Sequence, residues 1–220
     1  MNALIAYSIN ENNFVLSPER TIFWEKQNTL IIADLHIGRQ AHPRKKGKAV
    51  PKNYYKEDIQ RLFTQILYTK AGQLIIVGDL SLSRKDQEME IFKRWRNDFS
   101  SLTIRLVNGN QDILHHNRYD EMNITSCDQF VLDNFSFCHN PEDIKINTTV
   151  NNPYTFSGHV HPGIQIKGMG RGSIPFPCFY FKNSYAMLPA FSRFKGISKV
   201  DPEKGENVFA IVDNGLLQVQ

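Results

Sequence analysis

The residues of this chain best suited to do chemistry are short blocks of oxygen and imidazole donors, widely separated along the polymer. Asp34-Leu35-His36, Gly78-Asp79, Asn108-Gly109-Asn110-Gln111-Asp112, His139 and Gly158-His159-Val160-His161 follow in that order, and four of the seven histidines fall inside them. Carboxylate, amide and imidazole together suit Mn²⁺, Fe or Zn²⁺ better than Mg²⁺ or Ca²⁺, which prefer shells made of oxygen alone. Each block by itself is weak: Gly-Asp and Gly-Asn are ordinary turn signals, and Asp-x-His is common. His159 and His161 say more, because two imidazoles one residue apart point the same way on a strand and are costly to leave without partners. The conjunction carries the argument, since four of the five blocks follow a predicted strand.

Those strands are read from apolar runs bounded by turn residues, at Leu4 to Ile9, Thr21 to Trp24, Leu30 to Ala33, Leu74 to Val77 and Thr103 to Val107. Helical spacing of Ile59, Leu62, Phe63, Ile66 and Leu67 predicts a helix over Tyr54 to Tyr68, and Met89, Phe92 and Trp95 predict one over Asp86 to Phe99. Strand, helix, strand, helix, strand is the order of an open α/β sheet, whose loops at the carboxyl ends of the strands converge on one crevice. After Asn123 the pattern shifts to short strands and hairpins: Phe130 to Cys138 around Asp133-Asn134, Tyr154 to Ser157, Ile164 to Ile166, Cys178 to Phe181, and Val208 to Val212 joined to Leu216 to Val219 through Asp213-Asn214-Gly215. These hairpins are expected to deliver His139 and the His159 block. Gly168 to Pro177 reads as a surface loop. The fold class expected is α/β, a layered sandwich with mixed sheets.

Composition narrows the setting. A chain of 220 residues can bury one substantial core, so residues 1–220 are expected to form a single domain. No window is long and apolar enough to span a bilayer, and the start of the chain lacks a basic leader and cleavage site, so the expected location is cytoplasmic and no membrane partner is expected. Cys127, Cys138 and Cys178 form no CxxC pair and are expected to be buried, reduced thiols. Of the 26 basic residues, seven lie between positions 39 and 56 with no carboxylate among them, leaving 19 against 22 acidic residues elsewhere. Arg39, Arg44, Lys45, Lys46 and Lys48 in that stretch are the candidates for gripping phosphate or nucleic acid; the alternative is a solvated loop. Tyr54 and Tyr55 are the only aromatic candidates for stacking on bases.

The order Asp34-x-His36, Gly78-Asp79, Gly109-Asn110, His139 and Gly158-His159-x-His161 resembles the calcineurin-like metallophosphoesterases across nearly the whole chain. The segment from Pro43 to Pro51 is similar to the basic stretch of the bacterial ligase-associated members, and Leu188-Pro189-Ala190-Phe191 to their C-terminal signature. The resemblance implies an α/β/β/α sandwich holding two divalent metal ions, most readily Mn²⁺. Metal one would be held by Asp34, His36 and His161, metal two by Asn110, His139 and His159, with Asp79 bridging. A shared water, activated by both ions, would be the nucleophile. About +4 from the ions less about 3 for Asp34, Asp79 and hydroxide leaves a site that attracts a phosphodiester. The activity implied is a phosphodiesterase or nuclease acting on nucleic acid in a DNA repair set, with DNA ligase, helicase and exonuclease partners. A phosphomonoesterase or small-nucleotide phosphodiesterase, and a metal-bound docking subunit, are the alternatives.

Two departures bear on catalysis. The family's usual block is GNHD, whose histidine contacts phosphate and protonates the leaving oxygen; this chain has Gln111 there. Glutamine donates a hydrogen bond but no proton near neutral pH, so a general-acid contribution of roughly 10²- to 10⁴-fold is missing. Asn110, Gln111 and Asp112 are the catalytic candidates. Asp112, without its histidine partner, is expected to cap the turn after it. His115 and His116 are the nearest replacement acids, and Leu82 stands where a second family histidine is usual.

Overall fold

Runs such as Leu30-Ile31-Ile32-Ala33 and Leu74-Ile75-Ile76-Val77 have no polar face to offer water, so the strands they form need cover on both sides. The structure, a computed structural model, describes residues 3–37, 54–80, 87–112, 116–144, 152–167, 173–193 and 196–220. Among these, β1 (Ile5–Ile9), β2 (Asn12–Ser17), β3 (Thr21–Trp24), β4 (Thr29–Ala33), β5 (Gln73–Val77), β6 (Thr103–Val107) and β7 (Ile124–Cys127) form a seven-stranded sheet in sequence order. The first four strands pair antiparallel, and β4 to β7 pair parallel. Helices α1 (Tyr54–Thr69), α2 (Gln87–Asp98) and α3 (His116–Asp120) occupy the three parallel connections. The predicted alternation of strand and helix therefore holds and extends one unit further, to α3 and β7.

The second sheet contains β8 (Gln129–Leu132), β9 (Phe135–Cys138), β10 (Tyr154–Ser157), β11 (Pro162–Lys167), β12 (Ser173–Phe181), β13 (Tyr185–Met187), β14 (Ser198–Lys199), β15 (Asn207–Val212) and β16 (Gly215–Gln218). Two-residue turns close β8 on β9 at Asp133-Asn134 and β15 on β16 at Asp213-Asn214, as the turn residues predict. The expectation of hairpins fails at the centre, where β9, β10 and β13 run parallel. Cys138 and Ser157 consequently end neighbouring strands at the same edge, and the residues after them leave side by side. The loop expected up to Pro177 is also corrected over 173–177, which is strand; 168–172 lie outside the described residues. Over that part β12 pairs with β11 alone and gains β13 and β15 only from Cys178 onward, so Pro175 and Pro177 interrupt no second ladder.

Side-chain alternation divides the first sheet between two cores. Ile31, Ala33, Ile75, Val77 and Val107 cluster with Phe135, Phe137, Phe156, Phe179 and Phe209 of the second sheet. Leu30, Ile32, Leu74, Ile76, Ile104 and Leu106 cluster with Ile59, Leu62 and Ile66 of α1 and Phe92 and Trp95 of α2. Leu67, expected on the apolar face of α1, is instead exposed. A smaller third cluster, Cys178, Tyr180, Met187, Val200 and Val208, draws on strands and loops of the second sheet. Among the described residues no helix is long and apolar enough to cross a membrane.

Candidate metal centre

Each donor block emerges from the carboxyl end of a strand. Asp34 follows β4, Gly78-Asp79 follows β5, the Asn108 to Asp112 loop follows β6, His139 follows β9, and the Gly158 block follows β10. Backbone hydrogen bonds then tie the loops to one another: His36 N–H donates to Asp79 O at 2.8 Å, Gly78 N–H to Val107 O at 2.9 Å and Gly158 N–H to His139 O at 3.0 Å. The two sheets thus deliver their donors to a single place.

Asp34, His36 and His161 bring one donor atom each within 4.8 Å of one another, and Asp34, Asp79 and His139 do the same. His139 Nε2 lies 3.2 Å from Asn110 Oδ1, 3.2 Å from His159 Nδ1 and 3.6 Å from Asp79 Oδ1. His161 Nε2 lies 3.5 Å from Asp34 Oδ2, and His36 Nδ1 lies 3.8 Å from Asp79 Oδ2. All seven candidate ligands are therefore brought together: the two groups share Asp34, and Asn110 and His159 join the second through His139. The basic residues Arg39, Arg44, Lys45, Lys46 and Lys48 lie outside the described residues, as do His115 and Leu82. The side chains of Tyr54, Tyr55 and His116 are not among those described.

The loops reach this spot by backbone conformations that the sequence does not advertise. Asp34, His36, Asp79, His159 and His161, five of the seven, have φ between 45° and 65°. Left-handed conformations cost non-glycine residues on the order of 1–3 kcal/mol each and gather at functional sites, where surrounding contacts hold them. The idea that His159 and His161 lie on a strand is corrected by this: both sit in the turn between β10 and β11, and they face different groups of donors. Gly78, at φ +82°, shows why a Gly precedes Asp79. A Cβ there would lie 1.7 Å from His139 Nδ1, so the imidazole fits only over a bare α-carbon. A Cβ on Gly109 would likewise lie 2.2 Å from Asp79 Oδ1.

Backbone amides fix the carboxylates. Asp34 Oδ2 accepts from His159 N–H at 3.0 Å, and Asp79 Oδ1 accepts from Gln111 N–H at 3.0 Å. The turn after Asp112, which that residue is expected to cap, lies at 113–115, outside the described residues. The Asp112 carboxylate clasps the turn behind it, Oδ2 accepting from Gly109 N–H at 2.8 Å while the Asp112 N–H donates to Gly109 O at 3.2 Å. The hydroxyl of Tyr119, a buried residue of α3, lies 3.5 Å from the other carboxylate oxygen. Burial, then the nearby Asp112, pushes that phenol well above its ordinary range, so it stays a donor. No spacing rule points from Tyr119 to Asp112, and sequence reasoning missed it.

Asp34 and Asp79 are 0% and 1% exposed, and among the described residues no lysine or arginine pairs with Asp34. Buried carboxylates without a cation are costly. Buried Asp34 Oδ1, His139 Nδ1 and His161 Nε2 also have no hydrogen-bond partner. A bound divalent cation would answer both deficits, and the donor set fits one. Beside the His139 and His159 end opens a cavity of about 850 Å³, whose wall includes Asn108, Asp128, Gln129, Asn140, Glu142 and Asp143.

No family model matches the chain, and no curated protein matches it. Among solved structures it is similar to the Pseudomonas putida nuclease MPE, with a TM-score of 0.82 and 24% identity over 98% of this chain and 100% of that one. The E. coli phosphoesterase Yfce aligns at 17% identity over 87% of this chain and 97% of that one, with a TM-score of 0.42. The first likeness establishes a shared fold across the whole length.

Proposed function

We propose that residues 1–220 form one calcineurin-like metallophosphoesterase domain, a metal-dependent hydrolase that cleaves phosphodiester bonds of nucleic acid. The observation that carries the reading is the meeting of seven oxygen and imidazole donors, from five loops of two sheets, around buried carboxylates. Asp34, His36 and His161 would hold one divalent cation and Asn110, His139 and His159 a second, with Asp79 serving both. Mn²⁺ is the ion we assign, Fe and Zn²⁺ suiting the same donors. Two such cations, when bound, lower the pKa of water so that it attacks phosphorus near neutral pH, and neutralise the phosphoryl oxygens.

The chain's own groups do the rest. The amides of His159 and Gln111 keep Asp34 and Asp79 aimed, and the Asp112 clasp sets the turn that presents Asn110. Gln111 can donate a hydrogen bond to a phosphoryl oxygen but cannot protonate the departing one, which favours substrates whose leaving oxygen is stable as an anion. The cations at Arg39, Arg44, Lys45, Lys46 and Lys48 would track a phosphate backbone with little base selectivity. Nucleic acid as substrate is further supported by the fold shared with the P. putida nuclease. A cytoplasmic role in a repair set beside DNA ligase, helicase and exonuclease rests on the Pro43 to Pro51 and Leu188 to Phe191 segments. The two large cores support the inner layers of an α/β/β/α sandwich.

The test compares Mn²⁺-supported hydrolysis of bis(p-nitrophenyl) phosphate, p-nitrophenyl phosphate and single-stranded DNA, with Asp79→Asn as control. Turnover of the diester and the DNA, lost in the control, is expected. Turnover of the monoester alone would replace the nuclease reading with a phosphatase, and none by metal-loaded protein would leave a docking subunit.

A further inference from the structure

The Leu188 to Phe191 segment takes no part in the chemistry above, yet it lies against the strand end that carries Asp34. Ala190 bridges Ala33, Phe191 N–H donates to Ala33 O at 2.6 Å, and Ser192 N–H donates to Asp34 O at 3.2 Å. Asp34 sits at φ 53°, a conformation that persists only where neighbours hold it. The segment is one such neighbour, beside the His159 amide, and it is itself held from behind. Three successive carbonyls are each taken by a guanidinium: Arg20 Nη1 donates to Ala190 O at 2.9 Å and to Ser192 O at 3.0 Å, and Arg61 Nη2 donates to Phe191 O.

Arg61 belongs to α1 and binds the segment to that helix. It donates to Asp58 Oδ1 at 2.7 Å and to Glu19 O at 3.1 Å, and its Cζ lies 3.9 Å from the centre of the Phe191 ring. Its side chain is 10% exposed and that of Asp58 7%. Desolvation raises the Asp58 carboxyl and lowers the Arg61 guanidinium, each more than the partner restores it. A buried pair of this kind is often no more stabilising than apolar side chains of its size. Its worth is therefore geometric, and a planar fork able to hold a carboxylate and two carbonyls while stacked on a ring is a task for arginine rather than lysine.

We propose that Arg61 is a positioning residue for the metal centre, fixing Asp34 through the Phe191-Ser192 backbone. The proposal rests on the reading of Asp34 as a ligand of a divalent cation. Mn²⁺ binding is titrated by electron paramagnetic resonance of the free ion for the wild type, Arg61→Lys and an Arg61→Met/Asp58→Leu double variant, with circular dichroism to establish folding. Both variants are expected to fold and to bind Mn²⁺ about 10- to 100-fold more weakly, with kcat largely recovered at saturating Mn²⁺. If the double variant does not fold, Arg61→Lys decides alone, since its ammonium still pairs with Asp58. Wild-type affinity in a folded variant would overturn the positioning role and leave the proposed function standing; a wild type that binds no Mn²⁺ would overturn both.

Discussion

At the scale of the residue, Gln111 and Gly78 make opposite statements about the site. On the proposed reading Gln111 takes the position from which a histidine would protonate the leaving group, and its backbone N–H supports Asp79. Gln111→His is therefore expected to raise kcat on esters with poor leaving groups, by up to roughly 10²-fold, and to change hydrolysis of activated nitrophenyl esters far less. Equal gains on both classes would show that proton donation is not what the position lacks. Gly78 is a matter of space: its positive φ and the overlying His139 ring leave no volume for a methyl group. Gly78→Ala should lower unfolding free energy by more than about 1 kcal/mol and weaken metal binding together, as read from urea midpoints and Mn²⁺ titration. Loss of stability alone would mean that the His139 ring adjusts without cost to the site.

At the scale of the element, the strands of the second sheet carry His139, His159 and His161 and bury groups that titrate. Cys178 on β12 is fully buried, and burial pushes its thiol up to about 12 from an ordinary value near 9. Below pH 9 the thiol is protonated in folded and unfolded chains alike, and its contribution to stability is complete. Above pH 9 the unfolded chain releases the proton and the folded one does not, so that contribution is lost as pH rises toward 12. Unfolding free energy should fall by about 1 kcal/mol between pH 8 and 10, and by less in Cys178→Ala; parallel falls would place the alkaline sensitivity elsewhere. The same elements show what sequence could convey. β4, β5, α1 and α2 were legible because continuous apolar runs and helical spacing have few other readings. β2 was hidden by Asn12 and Asn13, which signal a turn although the turn itself is at Asn10-Glu11, whose φ values are positive. β7, β13 and β14 are short, and β7 and β14 carry polar residues, so their pairing comes from neighbours already in place.

At the scale of the molecule, two sheets share one core and meet again at one cluster of donors. The residue types of that cluster were readable, because oxygen and imidazole donors after successive strands have a common destination. Its geometry was not: the left-handed turns at five donors, the parallel exit of His139 and His159, and the guanidinium clasp behind Asp34 all arise from contacts between distant segments. Such contacts leave no periodicity in the chain. The architecture makes metal binding a property of the whole fold, since no single loop supplies more than two donors.

The most direct test is the anomalous difference density of crystals soaked in MnCl₂, collected at the manganese edge. Two peaks are predicted, one among Asp34, His36 and His161 and one among Asn110, His139 and His159, with Asp79 touching both. Peaks confined to other parts of the surface, or none in fully soaked crystals that diffract well, would contradict the account.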